Sequence, residues 1–231
     1  MARSKLYRAQ METYDRQRFY PLGDAVQVIK KFPHVKFDET VELAVKLGID
    51  TRQSDQAIRG ALALPHGTGK NVRVVVAAEG DAAKAARDAG ADEVGFADLL
   101  AKIQGGWLEF DVMIATPDAM REVRKLGRVL GPRGLMPNPK TGTVSDDAAA
   151  AVREAKGGRI EYRADRGGCI HVPVGKVSFT ETALKENIEA VIQVINRARP
   201  PGAKGTYLVS CTLASTMSPG VRLDSREFTR S

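Results

Sequence analysis

Residues 130 to 144 read LGPRGLMPNPKTGTV, and their glycines and lysine fall almost at the spacing of a phosphate-binding loop. Such a loop needs Gly, four residues, then Gly-Lys-Ser/Thr, so that backbone amides cradle the phosphates and the hydroxyl holds magnesium. Here Gly134 is followed by LMPN and then by Pro139, Lys140 and Thr141. Proline has no amide hydrogen to give a phosphate and fixes its own φ, so the cradle fails. PHGTGKN (65 to 71) fails differently, with Leu64 where the first glycine belongs and Asn71 in the hydroxyl position. AAEGDAA lacks the GxGxxG of a dinucleotide site. His34, His66 and His171 are scattered without HExxH or GxSxG, and the pairs Asp38-Glu39 and Asp146-Asp147 read as helix or turn surface. Cys169 and Cys211 lack a CxxC or a neighbouring histidine, so they read as buried free thiols, with no zinc site or disulfide framework. No catalytic residue, metal or cofactor is indicated.

Two other segments set small polar groups and cations beside apolar alternation. KFDETVE (36 to 42) would place Lys36, Asp38, Thr40 and Glu42 on one side of an extended chain, with Phe37 at its entrance. SCTLASTMSPG (210 to 220) offers the hydroxyls of Ser210, Thr212, Ser215 and Thr216, then Met217, Ser218 and a Pro-Gly turn. Hydroxyls and backbone amides suit the shallow minor groove of A-form RNA, whose 2′-hydroxyls both donate and accept. Equally, a C-terminal strand needs polar residues on its solvent face, and composition does not choose between the two.

The elements that would carry these segments differ along the chain. VRVVVAA (72 to 78) is an apolar run fit for a strand covered on both faces, and Asp81 is placed to cap the alanine-rich helix after it. DEVGF with ADLLAKIQGG, and FDVMIATP with DAMREVRKLGRVLG, repeat the strand-helix order, and DDAAAAVREAKGG adds a closing helix. This predicts a Rossmann-like parallel sheet in three layers with right-handed crossovers. Outside that block, Val41, Leu43, Val45 and Leu47 alternate with polar or small residues, as in a strand with one wet face. AIRGALALP is a second candidate strand, and RIEYRAD and CIHVPVG read as a hairpin turning at Arg166-Gly167-Gly168. Leu184, Ile188, Val191, Ile192 and Ile195 recur at helical spacing before ArgProProGly, and TYLVSCTLAST is a last strand before a polar tail.

An antiparallel-type region at both ends thus brackets a parallel-type block. The expected fold class is α/β and α+β in two domains: a discontinuous outer domain (1–67 and 160–231) with an antiparallel sheet and packed helices, and an inserted middle domain (68–159). The crossings, at 66 to 69 and 156 to 159, offer Gly67, Gly69, Gly157 and Gly158 as a hinge, or as ordinary surface turns.

With 231 residues, 43% apolar and 27% charged, the chain falls in the globular range. No apolar run reaches the roughly 20 residues that span a bilayer, and the N-terminus lacks the apolar core of a secretory signal, so a cytoplasmic protein without membrane association is expected. The net charge of +7 suggests a polyanionic partner, although such an excess also occurs without one. Residues 68 to 159 hold 14 Lys and Arg against 13 Asp and Glu, whereas the flanks keep 21 of the 35 bases and 15 of the 28 acids. The outer domain is therefore where a salt-sensitive grip on a polyanion is expected. A nucleotide-dependent enzyme built on the parallel block and a DNA-binding regulator are the competing classes; the first lacks its loop and the second a recognition helix.

KFDETVELAVKLGID, LPHGTGK, LGPRGLMPNPKTGTV, IHVPVGKVSF and GAKGTYL, in that order, closely resemble the bacterial L-one family, the stalk protein of the large ribosomal subunit. The resemblance runs almost end to end. It implies an inserted two-domain architecture, no enzymatic activity, and a principal contact to large-subunit ribosomal RNA through the outer domain, as a monomer within the ribosome. It further implies release of deacylated transfer RNA from the exit site and repression of its own operon through the messenger RNA. Carried over to this chain, the RNA surface comprises Lys36, Phe37, Thr40, Glu42, Lys46, His171, Lys176, Ser210, Ser215, Thr216, Met217 and Ser218. Lys36 and Lys176 would neutralise phosphates, the hydroxyls would read 2′-hydroxyls, and Phe37 and Met217 would shield those bonds, unless Phe37 is a core residue. The family usually has glycine where Ser218 stands, and Ser218→Gly is expected to preserve or tighten binding. Arg133 and Lys140 could offer a second RNA contact on the middle domain, or their loop is purely structural.

Overall fold

The computed structural model describes residues 4–229, with the side chains of Ser54, Lys140 and Thr229 outside the description. Helices α1 (Lys5–Glu12) and α2 (Leu22–Lys31) precede strands β1 (Thr40–Leu47) and β2 (Arg59–Ala63). A strand-helix series follows: β3 (Val74–Ala77), α3 (Gly80–Asp88), β4 (Glu93–Gly95), α4 (Ala97–Gln104), β5 (Val112–Ala115), the short α5 (Met120–Val123) and α6 (Gly127–Leu130), and α7 (Ala148–Lys156). The chain closes with β6 (Arg159–Arg163), β7 (Cys169–Lys176), α8 (Glu181–Arg197), β8 (Leu208–Ser215), β9 (Val221–Leu223) and α9 (Arg226–Thr229).

Two compact units result, one from Met1–Gly69 with Ile160–Ser231 and one from Lys70–Arg159. The first holds an antiparallel sheet in the order β7-β1-β8-β9. In β1 the residues Val41, Leu43, Val45 and Leu47 are all buried, and Ile170, Val172, Val174, Cys211, Leu213, Val221 and Leu223 join the same core. The helical face of α8, with Leu184, Ile188, Val191, Ile192 and Ile195, and Ala25, Val26 and Ile29 of α2 complete it. Thr180 starts α8 by accepting from the Ala183 amide (3.2 Å), the expected role of an N-cap hydroxyl. The polar side chain of Asn187 is sealed inside, where it donates to the carbonyls of Val174 (2.8 Å) and Gly67 (3.1 Å) and accepts from the His66 amide (3.1 Å). These bonds offset the cost of taking its amide out of water.

The second unit has a parallel sheet in the order β4-β3-β5, and its β3 is buried at every position, as its uniform apolar run requires. Separate apolar clusters lie around Ile103, Met113 and Leu130 and around Val74, Ile114 and Val152.

Four sequence expectations change. The strands of RIEYRAD and CIHVPVG do not form a hairpin: β6 pairs with β2 in a separate two-stranded sheet, while β7 pairs with β1. The turn between them is nevertheless tight, with the Asp165 amide donating to the Cys169 carbonyl (2.8 Å) and Gly168 at φ +72°. DAMREVRKLGRVLG is not one helix, because a tighter turn over Arg124–Leu126 and the low helix propensity of Gly127 divide α5 from α6. Asp81 does not cap α3; it sits in the first turn behind Glu79 and Gly80, where its charge favours the helix dipole. The tail after TYLVSCTLAST returns as β9, paired to β8 through Leu213 and Val221 and through Cys211 and Leu223.

Candidate nucleic-acid interface

Because β1 lies between β7 and β8, its outward residues Thr40, Glu42, Ala44 and Lys46 run down the open face of the sheet. Register places Ala44 between His171 and Thr212, and Lys46 between Cys169 and Ser210. Side chains two apart on a strand share a side, so His171, Ser210, Thr212 and Arg222 belong to this face, with Thr212 and Arg222 paired across β8 and β9. Among the described residues the hydroxyls of Ser210 and Thr212 make no intramolecular hydrogen bond, and Glu42, His171 and Ser210 are exposed.

At one end of this face two loops meet, and Glu39 joins them. It is 1% exposed although it carries a carboxylate. Its oxygens accept from the Ser215 hydroxyl (2.5 Å), the Met217 amide (3.0 Å), the Val35 amide (3.2 Å) and His34 Nδ1 (3.2 Å). Burial pushes its pKa upward, but the bonds from Ser215, Met217, Val35 and His34 outweigh this and hold the carboxyl below its usual range. An ionised carboxylate can only accept, so the ring nitrogen of His34 is the donor.

The clamp turns the two large apolar side chains outward: Phe37 is 54% and Met217 51% exposed. Phe37 is therefore not a core residue. Thr216 Oγ1 accepts from the Thr40 amide (3.0 Å) and donates to the Thr40 carbonyl (3.3 Å), stitching the second loop to the start of β1. Lys176 Nζ donates to Thr40 Oγ1 (2.9 Å) and reaches the Asp38 carbonyl (3.4 Å). The Asp38 carboxylate accepts from the hydroxyl (2.7 Å) and amide (3.2 Å) of Ser178, and among the described residues it forms no ion pair with that ammonium. Lys36 is exposed in a bend before β1 rather than on the strand.

Besides Thr216, three predicted residues take different roles. Ser215 is 4% exposed and its hydroxyl is spent on Glu39, so it positions the loop instead of offering a donor to a ligand. Ser218 Oγ accepts from the Ser215 amide (2.8 Å), a bond within the loop that glycine at this position would lose. Lys46 reaches the Gly167 carbonyl at the far end of the face. Arg133 is exposed on the second unit, and the Lys140 side chain lies outside the described residues. Their loop is bonded internally, with Thr143 Oγ1 accepting from the Asn138 amide (2.8 Å) and the Thr141 amide donating to the Asn138 carbonyl (3.1 Å).

Glu39 and Ser215 were the residues sequence reasoning misread. Both are in phase with the buried positions of their strands, Glu39 with Val41 and Leu43, and Ser215 with Leu213 and Cys211. A carboxylate and a hydroxyl on core parity at the same end of two paired strands is the signal that finds them.

The ensemble offers free hydroxyls, cations without carboxylate partners and two exposed apolar groups on a rigid sheet. It offers no activated nucleophile. Burial pushes the Cys211 thiol up to about 11, and among the described residues no group of three or more His, Cys, Asp and Glu could hold a metal ion.

Comparison with known proteins bears on this surface. Residues 29–219 match the ribosomal protein L1p/L10e family. The "Large ribosomal subunit protein uL1" of Chlamydia pneumoniae is 54% identical over 224 residues, covering 97% of both chains. Those of Chlamydia trachomatis serovar D and Chlamydia caviae are 55% and 53% identical with the same coverage.

Proposed function

This chain belongs to the ribosomal protein L1p/L10e family, and from that premise we propose that the open sheet face and its Phe37–Met217 end grip large-subunit ribosomal RNA at the stalk. The chain is a structural protein of the large ribosomal subunit, in the cytoplasm with it, and not an enzyme. The observation that carries the RNA reading is the Glu39 clamp, which uses a buried charge to hold an exposed aromatic and a thioether beside hydroxyls. A core would hide those groups and an enzyme would aim a base. An RNA minor groove instead presents 2′-hydroxyls to be bonded and sugar surface to be covered.

The same face would serve a second, mimicking RNA, and we extend the proposal to repression of the chain's own operon through its messenger RNA and to assistance in releasing deacylated transfer RNA from the exit site. The glycines at both crossings support the accompanying hinge reading, since Gly67, Gly69 and Gly158 sit at φ +66°, +69° and +89°, while Gly157 ends α7 at φ −70°. Arg133 and Lys140 remain the proposed second contact.

The decisive measurement is binding of a stalk RNA fragment, with a DNA duplex of the same sequence as competitor. Met217→Ala together with Phe37→Ala should weaken RNA binding by about 10- to 100-fold, as expected for losing two apolar contacts of about 1 kcal/mol or more each, without unfolding the chain, since both side chains are exposed. Unchanged affinity, or equal preference for the DNA duplex, would overturn the reading.

A further inference from the structure

The open face does not end at Lys46. Beyond it the 165–168 turn is fixed from two sides, by Lys46 on the Gly167 carbonyl and by Thr51 Oγ1 donating to the Arg166 carbonyl (2.7 Å). Next to this turn lies a cavity of about 520 Å³ lined by Thr51, Arg59, Arg163, Asp165 and Arg166 over an apolar floor that includes Ile58. Arg59 comes from β2 and Arg163 from β6, the two strands that left the main sheet to pair with each other. Among the described residues none of the three arginines makes an ion pair or a side-chain hydrogen bond, and all are exposed. Like charges gathered around one concavity repel, and nothing in the core requires them there.

We propose that this cavity is a second RNA-backbone subsite, taking one phosphate between the guanidinium groups and the adjoining ribose hydroxyl on Asp165. The inference rests on the RNA reading of the sheet face and extends it. Guanidinium is the side chain suited to paired bonds with phosphate oxygens. The carboxylate distinguishes a nucleotide from a free anion. The Cys169 amide donates to Asp165 Oδ1 (2.8 Å) and holds the carboxyl below its usual range, so it is an ionised acceptor for a hydroxyl. From Thr40 to Lys46 the strand covers about 20 Å at the usual rise per residue. The RNA engaged must therefore extend at least that far from the Met217 loop.

The test uses the full chain, the double variant Arg59→Gln/Arg163→Gln, and Arg166→Gln, against two nested stalk RNA fragments. The shorter reaches only the Met217 end and the longer runs about 20 Å further. Across about 50 to 200 mM salt, the double variant should lose roughly tenfold affinity for the longer RNA, and its logarithmic salt slope should fall by about 1, as for one phosphate contact released. Arg166→Gln should lose affinity in the same RNA, and Arg163→Lys should restore only part, since an ammonium cannot form the paired bonds. Equal losses on both fragments would reduce the arginines to a diffuse charge and overturn the subsite. If Met217→Ala weakens binding while the arginine variants do not, this inference fails by itself; if neither does, the reading of the whole face fails with it.

Discussion

Glu39 sets the chemistry of the candidate site more than any residue that would touch RNA. Four donors converge on a carboxylate with 1% exposure, and they join the loop carrying Phe37 to the loop carrying Met217. Because the folded state holds this carboxyl below its usual range, its stabilising effect is fully present above the unfolded value of about 4.3 and is lost as pH falls through the lower folded value. Glu39→Gln should therefore be less stable than the parent by about 2 kcal/mol at neutral pH, the worth of charged hydrogen bonds in a buried site. Paired urea denaturations should show that gap closing below about pH 4. A gap independent of pH would mean that shape, not charge, holds the loops. Ser215 and Thr216 illustrate the same economy: both hydroxyls were expected to face a ligand, yet one bonds Glu39 and the other the backbone of Thr40.

At the scale of elements, what was legible is what local periodicity encodes. The alternation of Val41 to Leu47 gave β1 with its wet face, and the apolar spacing from Leu184 to Ile195 gave α8. Pairing between distant strands is not written in that code. RIEYRAD and CIHVPVG look like neighbours across a glycine turn, but β6 finds its partner about a hundred residues back in β2, and no pattern in either strand announces it. β9 escaped because its three residues, Val221 to Leu223, are too short to show a period. The candidate site was legible at its exposed members and illegible at Glu39, whose type suggests surface while its parity says core. Asn187 is a second case, a polar residue on the apolar face of α8 that ties the helix to β7 and to the chain's exit at Gly67. Replacing it with alanine strands the His66 amide and two carbonyls, so Asn187→Ala should cost about 2 kcal/mol in thermal or urea unfolding. An effect within 0.5 kcal/mol, roughly the scatter of surface changes, would show that water replaces all three bonds.

For the molecule as a whole, the two units each have their own apolar cores, one built from both ends of the chain and the others from the middle. Replacing Lys70–Arg159 with a short Gly-Ser link should accordingly leave a cooperatively folding outer unit. That unit carries most of the positive excess, 21 bases against 15 acids outside residues 68–159, so it should keep most of the affinity for stalk RNA and most of the salt slope of the intact chain. A fall to the level of nonspecific binding would move the grip to the middle unit. The placement of β1 between β7 and β8 also has a consequence for how the protein is born. Both neighbours of β1 are synthesised long after it, and at about 5 to 20 residues per second the nascent strand waits on the order of 10 s with two unpaired edges. The inserted unit is complete before the first of those neighbours emerges, so it can fold while the N-terminal segment is still sticky. A truncated product lacking β8 would leave one edge of β1 unpaired and have no finished sheet to offer RNA.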